Sequence, residues 1–284
     1  MDEEVPAGFD KVVTGTTITN TYKPGTTTVS GQKVWNLKGN SEDLLPESIT
    51  VYIKDGESIV DTLTVKAGVN KDWSFTSKVL PKYRADGKTE INDTVEEVAV
   101  PVFAKVIEGT RITNTLETVK INGEKQWDMK GYSEELMPKS ITVYIKNGSK
   151  TVETLTVEAG EDKTWKFVSS DLPKYEADGT TEIKYTVDEE VPEGFSKLVT
   201  GSDIKNTYIP KLTKISGEKT WDMQGYDETL MPENITVYIK DGETTVETLT
   251  VEAGEDNKWK FESSDLPKYR TDGTTEIKYT VDEE

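Results

Sequence analysis

Residues 136–167, LMPKSITVYIKNGSKTVETLTVEAGEDKTWKF, return at 230–261 as LMPENITVYIKDGETTVETLTVEAGEDNKWKF, and a more diverged copy occupies 44–75. A chain that repeats itself this closely must fold the same way more than once. The shared register sets Lys125 92 residues after Lys33, and Lys219 94 residues after Lys125. That period is far too long for one coil of a solenoid and suits a small globular domain in tandem. The opening DEEVPAGFDKVVTGTTITNTY matches 188–208, which is the end of a repeat. The closing YTVDEE matches 185–190, where the second copy runs on. The expected organisation is therefore a C-terminal remnant of a preceding repeat (1–25), two full repeats (26–116 and 117–209) and an incomplete copy lacking its last strand (210–284). The joins YKPGTTT and YIPKLTK read as short linkers between beads.

Within each repeat the periodicity is that of strands. SITVYIKNG and KTVETLTVE alternate apolar and polar residues around an Asn-Gly, which predicts a β-hairpin. TWKF reads as a short strand that ends before DLPKY, where proline should break the ladder. TEIKYTVDEE and SDIKNTY supply two more, with VPEGF as a turn between them. About seven short strands in a repeat of this length predict an all-β chain of tandem small β-sandwiches, with Trp127 and Trp165 anchoring the second core.

Composition narrows the function. Against 34 Lys and Arg stand 53 Asp and Glu, a net charge of −19, which repels nucleic acid and anionic lipid headgroups. Neither Cys nor His occurs, so disulfides, thiol nucleophiles, Cys or His zinc sites and His-based triads are excluded. No cofactor or metal is expected. Apolar runs are too short to span a bilayer, so no membrane insertion is expected, and the first residues lack the basic and apolar regions of a signal peptide.

One strand breaks the usual rule. INGEKQWDMKGY (121–132) alternates so that Lys125 shares a face with Trp127, and the same Lys-x-Trp recurs at Lys33 and Lys219. A lysine facing the core needs a partner, because an isolated buried ammonium is too costly to keep charged. Alternation puts Glu189 on the face of Tyr185 and Val187, and Asn206 on the face of Ile204. Lys-to-Glu spacing is 64 residues for Lys33–Glu97, Lys125–Glu189 and Lys219–Glu283. Lys-to-Asn spacing is 81 for Lys33–Asn114 and Lys125–Asn206, and Glu3–Asn20 repeats the 17-residue step of Glu97–Asn114 and Glu189–Asn206. On spacing alone, a buried Lys–Glu ion pair with Asn as a hydrogen-bonding neighbour is the commoner arrangement of such groups. Asp188 and Glu190 flank Glu189 but alternate outward, as solvated charges rather than a glycosidase dyad.

The Lys-x-Trp strand, the SITVYI hairpin, LPKY, YTVDEE and ITNTY, in that order along essentially the whole chain, resemble the B-type domain of Gram-positive collagen adhesins. The prealbumin-like (reverse immunoglobulin-like) domains of pilins are similar. The resemblance implies an intramolecular isopeptide bond between Lys33 and Asn114 and between Lys125 and Asn206, promoted by Glu97 and Glu189. Such self-modification happens once per domain, so the chain is not expected to be an enzyme. Repeat one departs from the pattern with Asp93 in place of Tyr185 and VAVPVF in place of VPEGF, which is expected to loosen the strand beside Glu97. Glu3 with Asn20, and Lys219 with Glu283, are halves of split sites. Head-to-tail strand complementation between chains is one expectation for them. The implied role is a stalk on an extracellular, cell-wall-anchored adhesin, whose partners are the neighbouring repeats and, through a head domain outside this stretch, host extracellular matrix. A repeat that itself binds matrix or glycan, or a pilin shaft, are the alternatives.

Overall fold

The structure, a computed structural model, describes residues 3–255 and 258–284. It is all-β: the helical elements among the described residues are four three-residue 3-10 turns, Glu42–Leu44, Val69–Lys71, Glu134–Leu136 and Glu228–Leu230. Two compact units make up the chain. The first takes the described residues up to Lys120 together with Ser170–Lys184, and the second takes Ile121–Ser169 and Tyr185–Glu284.

An antiparallel hairpin, β1 (Phe9–Thr14) and β2 (Thr17–Tyr22), comes first. Repeat one runs through β3 (Thr26–Thr27), β4 (Ser30–Asn36), β5 (Ile49–Asp55), β6 (Ser58–Val65), β7 (Ser74–Thr76), β8 (Leu80–Pro81), β9 (Thr94–Glu97), β10 (Phe103–Glu108) and β11 (Arg111–Leu116). Repeat two copies it as β12 (Thr118–Val119), β13 (Asn122–Asp128), β14 (Ser140–Asn147), β15 (Lys150–Glu158), β16 (Trp165–Val168), β17 (Leu172–Pro173), β18 (Tyr185–Glu189), β19 (Phe195–Thr200) and β20 (Asp203–Tyr208). The closing stretch holds β21 (Leu212–Thr213), β22 (Ser216–Lys219), β23 (Ile235–Asp241), β24 (Thr244–Val251), β25 (Trp259–Glu262), β26 (Leu266–Pro267) and β27 (Tyr279–Glu283).

Two sheets form each full repeat. Their orders are β10-β11-β4-β7 with β6-β5-β9, and β19-β20-β13-β16 with β15-β14-β18. The first long strand lies beside the last and parallel to it, β4 with β11 and β13 with β20. The closing stretch pairs β22 with β25 and orders β24-β23-β27. The reason for the layers is visible in β5: Ile49, Val51 and Ile53 are buried while Thr50 and Tyr52 point away. Both sheets feed the core of repeat one, where Val51 and Ile53 meet Trp73, Phe75, Val95 and Ile112. Such apolar area removed from water is the main term holding a sandwich together.

The hairpin turns sit one residue later than Asn-Gly suggests. Asn147 still pairs with Lys150, and Gly148 at φ +58° is the first central residue, as a type II′ turn requires. Proline does not end the ladder either: Leu172–Pro173 pairs with Thr118–Val119 in a two-residue ribbon, an edge position that needs little from the missing N–H. One full strand in each repeat is additional to those read from the sequence, β10 and β19. The segment 170–184 lies in the same unit as repeat one and touches it, with Asn40 Nδ2 donating to Asp171 O at 2.8 Å. In the second unit the equivalent segment accepts at Thr271 O from the Ser133 N–H at 2.7 Å.

Glycine is required where the first strand passes under its neighbours. A Cβ at Gly123 would sit 2.2 Å from Ser202 O and 2.6 Å from the Phe167 ring, and one at Gly31 would sit 2.1 Å from Thr110 O. At Gly217 the nearest atoms belong to the Phe261 ring, at 2.5 Å. Gly123→Ala is expected to destabilise its repeat by about 1–3 kcal/mol, since a backbone oxygen cannot swing aside. Gly217→Ala should cost less, because a ring edge can shift. Denaturant melts of the two variants check the order.

Candidate functional site

The parallel pairing of first and last strands sets the site. In repeat two Lys125 lies opposite Ile204 and Trp127 opposite Asn206, so Lys125 and Asn206 are on one face of adjacent strands, two residues apart along the register. Glu189 comes from the facing sheet, on β18, where it pairs with Val143. Repeat one has the same layout: Lys33 opposite Ile112, Trp35 opposite Asn114, and Glu97 opposite Val51. Two sheets thus bring together an amine, a carboxamide and a carboxyl group from three strands.

All six residues are buried: Lys33 3%, Glu97 2%, Asn114 0%, Lys125 2%, Glu189 4% and Asn206 0% exposed. Lys33 Nζ lies 3.2 Å from Glu97 Oε1. In repeat two Glu189 Oε1 takes a hydrogen bond from Asn206 Nδ2 at 3.3 Å and lies 3.9 Å from Lys125 Nζ. Lys125 Nζ donates to Gln126 O at 3.1 Å. The tryptophan of each Lys-x-Trp covers the amine, with Nζ 4.1 Å from the Trp35 ring centre and 3.3 Å from that of Trp127. Edge-to-face contacts hold those rings, Trp35 on Trp73 and Phe103, and Trp127 on Trp165 and Phe195.

Dehydration dominates the electrostatics. Burial pushes Lys33 and Lys125 down to about 8 from the ordinary 10.5, against the opposing pull of Glu97 and Glu189. Burial also raises the Glu189 carboxyl above its ordinary value, against the opposing charge of Lys125. Both shifts favour neutral forms, which is what a low-dielectric site does to an acid and a base at once. Several buried polar atoms lack a hydrogen-bond partner: in repeat one Glu97 Oε2 and both Asn114 amide atoms, and in repeat two Glu189 Oε2 and Asn206 Oδ1. An amine that loses its proton readily therefore sits among an amide and a carboxyl group, the ingredients of acyl transfer.

The departures of repeat one do not open its site. β9 is one residue shorter than β18, yet Glu97 stays as buried as Glu189. The strain has moved to Val102, at φ +64°, where repeat two has Gly194 at +83°. Asp188 and Glu190 point outward as expected; Asp188 bonds Lys146 and Lys197, and the Tyr144 hydroxyl donates to Glu190 at 3.5 Å. Of the split sites, Lys219 Nζ meets Glu283 Oε2 at 2.7 Å with the two side chains 26% and 34% exposed. Asn20 Nδ2 donates to Glu3 Oε1 at 2.5 Å. The sequence reading missed Lys105 and Lys197. Lys105 Nζ donates to Glu97 O at 2.5 Å and Lys197 Nζ to Glu189 O at 2.8 Å. Their signal was a lysine alternating with Phe195 and Val199 in FSKLVT, a strand that went unread.

The family described as Cna protein B-type domain matches residues 29–115, 121–207 and 215–284. The collagen adhesin of Staphylococcus aureus is 35% identical over 294 residues, covering 100% of this chain, and the chain spans 24% of that protein's length. Two B repeat units of the collagen binding protein of Staphylococcus aureus align at 28% identity with a TM-score of 0.36, over 98% of this chain and 74% of theirs. The TIE protein of Bacillus anthracis aligns at 16% identity and a TM-score of 0.32, over 94% of this chain and 46% of its own.

The site electrostatics are directly measurable in Asn206→Ala protein. The Lys125 side chain is expected to titrate near pH 8 by NMR, not at 10.5. The folded state then binds fewer protons than the unfolded chain between about pH 8 and 10.5, so stability should climb with pH across that window. Glu189 acts oppositely in acid: its carboxyl is held above 4.5 when folded, so its contribution falls as pH rises from 4.5 through the folded value. A Lys125 titration at the ordinary value contradicts the dehydrated site.

Proposed function

The chain belongs to the Cna protein B-type domain family, and on that premise we propose that its full repeats are self-crosslinking stalk domains of a Gram-positive surface adhesin. Lys33 joins Asn114, and Lys125 joins Asn206, with Glu97 and Glu189 as the promoting acids. The observation that carries this reading is the burial of three polar side chains per repeat with so many of their atoms lacking hydrogen-bond partners. Each such atom costs roughly 1–3 kcal/mol left as it is. Joining amine to amide removes the lysine charge altogether.

The chemistry follows from the roles available. With Lys125 neutral, and with the Asn206 amide turned so that Oδ1 rather than Nδ2 meets Glu189, the Nζ lone pair attacks the side-chain carbonyl carbon while protonated Glu189 donates to the carbonyl oxygen as negative charge builds there. Glu189 then passes a proton from the attacking nitrogen to the leaving amide nitrogen. The C–N bond breaks, ammonia departs and a Lys–Asn amide remains. Glu189 ends as it began. No cofactor enters, and proximity after folding supplies the drive.

The bond joins the first long strand to the last across 81 residues. By analogy with a disulfide closing a loop of that length, it contributes about 4–5 kcal/mol through the unfolded state. Because the joined strands are neighbours in one sheet, tension applied at the repeat's two ends passes through the covalent link rather than through the rest of the sandwich. Repeats in series would hold a separate matrix-binding head away from the cell wall, in an extracellular, wall-attached protein. The strong acidity keeps such a surface from sticking to its neighbours.

Intact mass under denaturing conditions tests the reading. The chain is expected to weigh less than its sequence by two ammonia molecules, one per full repeat. Lys125→Ala should restore one of them, as should Glu189→Ala, which leaves amine and amide in place. The full sequence mass in folded protein would leave only a buried ion pair.

A further inference from the structure

The acids of the two sites lie on strands with one open edge. Among the described residues β9 and β18 end their sheets, β9 pairing only with β5 and β18 only with β14. Backbone groups on such an edge need partners, particularly where the peptide belongs to a buried residue. At Glu189 both groups are held by one small cluster. The N–H donates to the carboxylate of Asp188, the preceding residue, at 2.9 Å. The C=O accepts from Lys197 Nζ at 2.8 Å, and the same Nζ also grips the Asp188 carboxylate. Repeat one builds the cluster from different letters: the Glu97 N–H donates to Glu96 Oε1 at 3.2 Å, and Lys105 Nζ bonds both that carboxylate and Glu97 O.

The lysine belongs to the other sheet. Lys197 lies directly opposite Asn206 in the β19–β20 pair, and Lys105 directly opposite Asn114 in β10–β11. Residues directly opposite share a face, so each lysine stands beside the site asparagine and reaches across to the site acid. It spans the gap between the two sheets at their edge. The hairpin β1–β2 keeps the same relation, with Lys11 opposite Asn20 and its Nζ on Glu3 O at 2.5 Å. The closing stretch shows the half that belongs to one sheet: the Glu283 N–H donates to Asp282 Oδ1 at 3.0 Å, and the Asp282 carboxylate bonds Lys240. A surface ion pair needs no such repeated backbone capture, and it would tolerate drift from copy to copy.

We propose that Lys197 with Asp188, and Lys105 with Glu96, are positioning residues that clamp the peptide of the site acid and so fix its carboxyl group against the lysine–asparagine pair. This rests on the crosslinking reading. The clamp touches no reacting atom, so it acts on the rate of crosslinking through Glu189 and Glu97.

The two repeats of one chain provide the test and its control. Newly synthesised full chain is quenched in denaturant at intervals, and ammonia loss is assigned to each repeat by mass of its proteolytic fragments. In Lys197→Met protein, which keeps the aliphatic stem, repeat two is expected to crosslink slower by about tenfold or more, while repeat one keeps its unmodified rate. Lys197→Arg, whose guanidinium can donate to carbonyl and carboxylate together, should restore the rate; a merely space-filling lysine would be replaced equally well by Met. Asp188→Asn, which keeps the lysine, should slow repeat two in the same direction, and it decides the matter should the Met variant fail to fold. Crosslinking of repeat two at its unmodified rate in folded Lys197→Met or Asp188→Asn protein overturns the clamp. Absence of ammonia loss from repeat one in the same sample would instead overturn the crosslinking reading itself.

Discussion

A lysine amine enclosed between two apolar sheets is the constraint to which the rest of each repeat answers. Leaving such a group charged and alone is prohibitive, and the fold meets the difficulty in three ways at once. It places a carboxyl group on the facing sheet, lays a tryptophan ring over the amine, and lowers the lysine's affinity for its proton toward 8. The amide partner depends on the parallel neighbouring of first and last strands. Without that pairing, Lys125 and Asn206 would have no common face.

Strand pairing also explains why certain residues are not negotiable. The first strand can run close to the turn before the last one only because glycine stands at Gly31 and Gly123, where any side chain would strike backbone. Repeat one shows the tolerance elsewhere. Its Val102 carries a left-handed φ that a β-branched residue adopts only under strain, yet the site behind it is closed. Strain in a connecting turn is absorbed locally, whereas a clash under the site strand would move the amine itself.

Much of this was legible from alternation. Ile49, Val51 and Ile53 facing in, and Lys125, Glu189 and Asn206 facing in with them, follow from period two applied to short strands. What escaped was the strand FSKLVT. Its lysine sits where a buried apolar residue would complete the pattern, so the segment read as a connection after the VPEGF turn. The structure resolves the paradox, because Lys197 is a long side chain whose stem is covered and whose amine reaches a backbone carbonyl and a carboxylate at the sheet edge. The position of the turn after Asn147 was likewise beyond reading, since Gly148 satisfies either register until pairing with Lys150 fixes it.

The closing stretch separates two contributions that the full repeats merge. There Lys219 and Glu283 meet at 2.7 Å. What differs is water: those side chains are 26% and 34% exposed, against complete burial of Lys125 and Glu189. In a full repeat β20 carries the amide, and β19 sets Phe195 against the Trp127 ring that covers the amine. Under the crosslinking reading, the amine turns nucleophilic only when the strand bearing its target has docked, which couples the chemistry to completed folding and protects exposed lysines from reacting earlier.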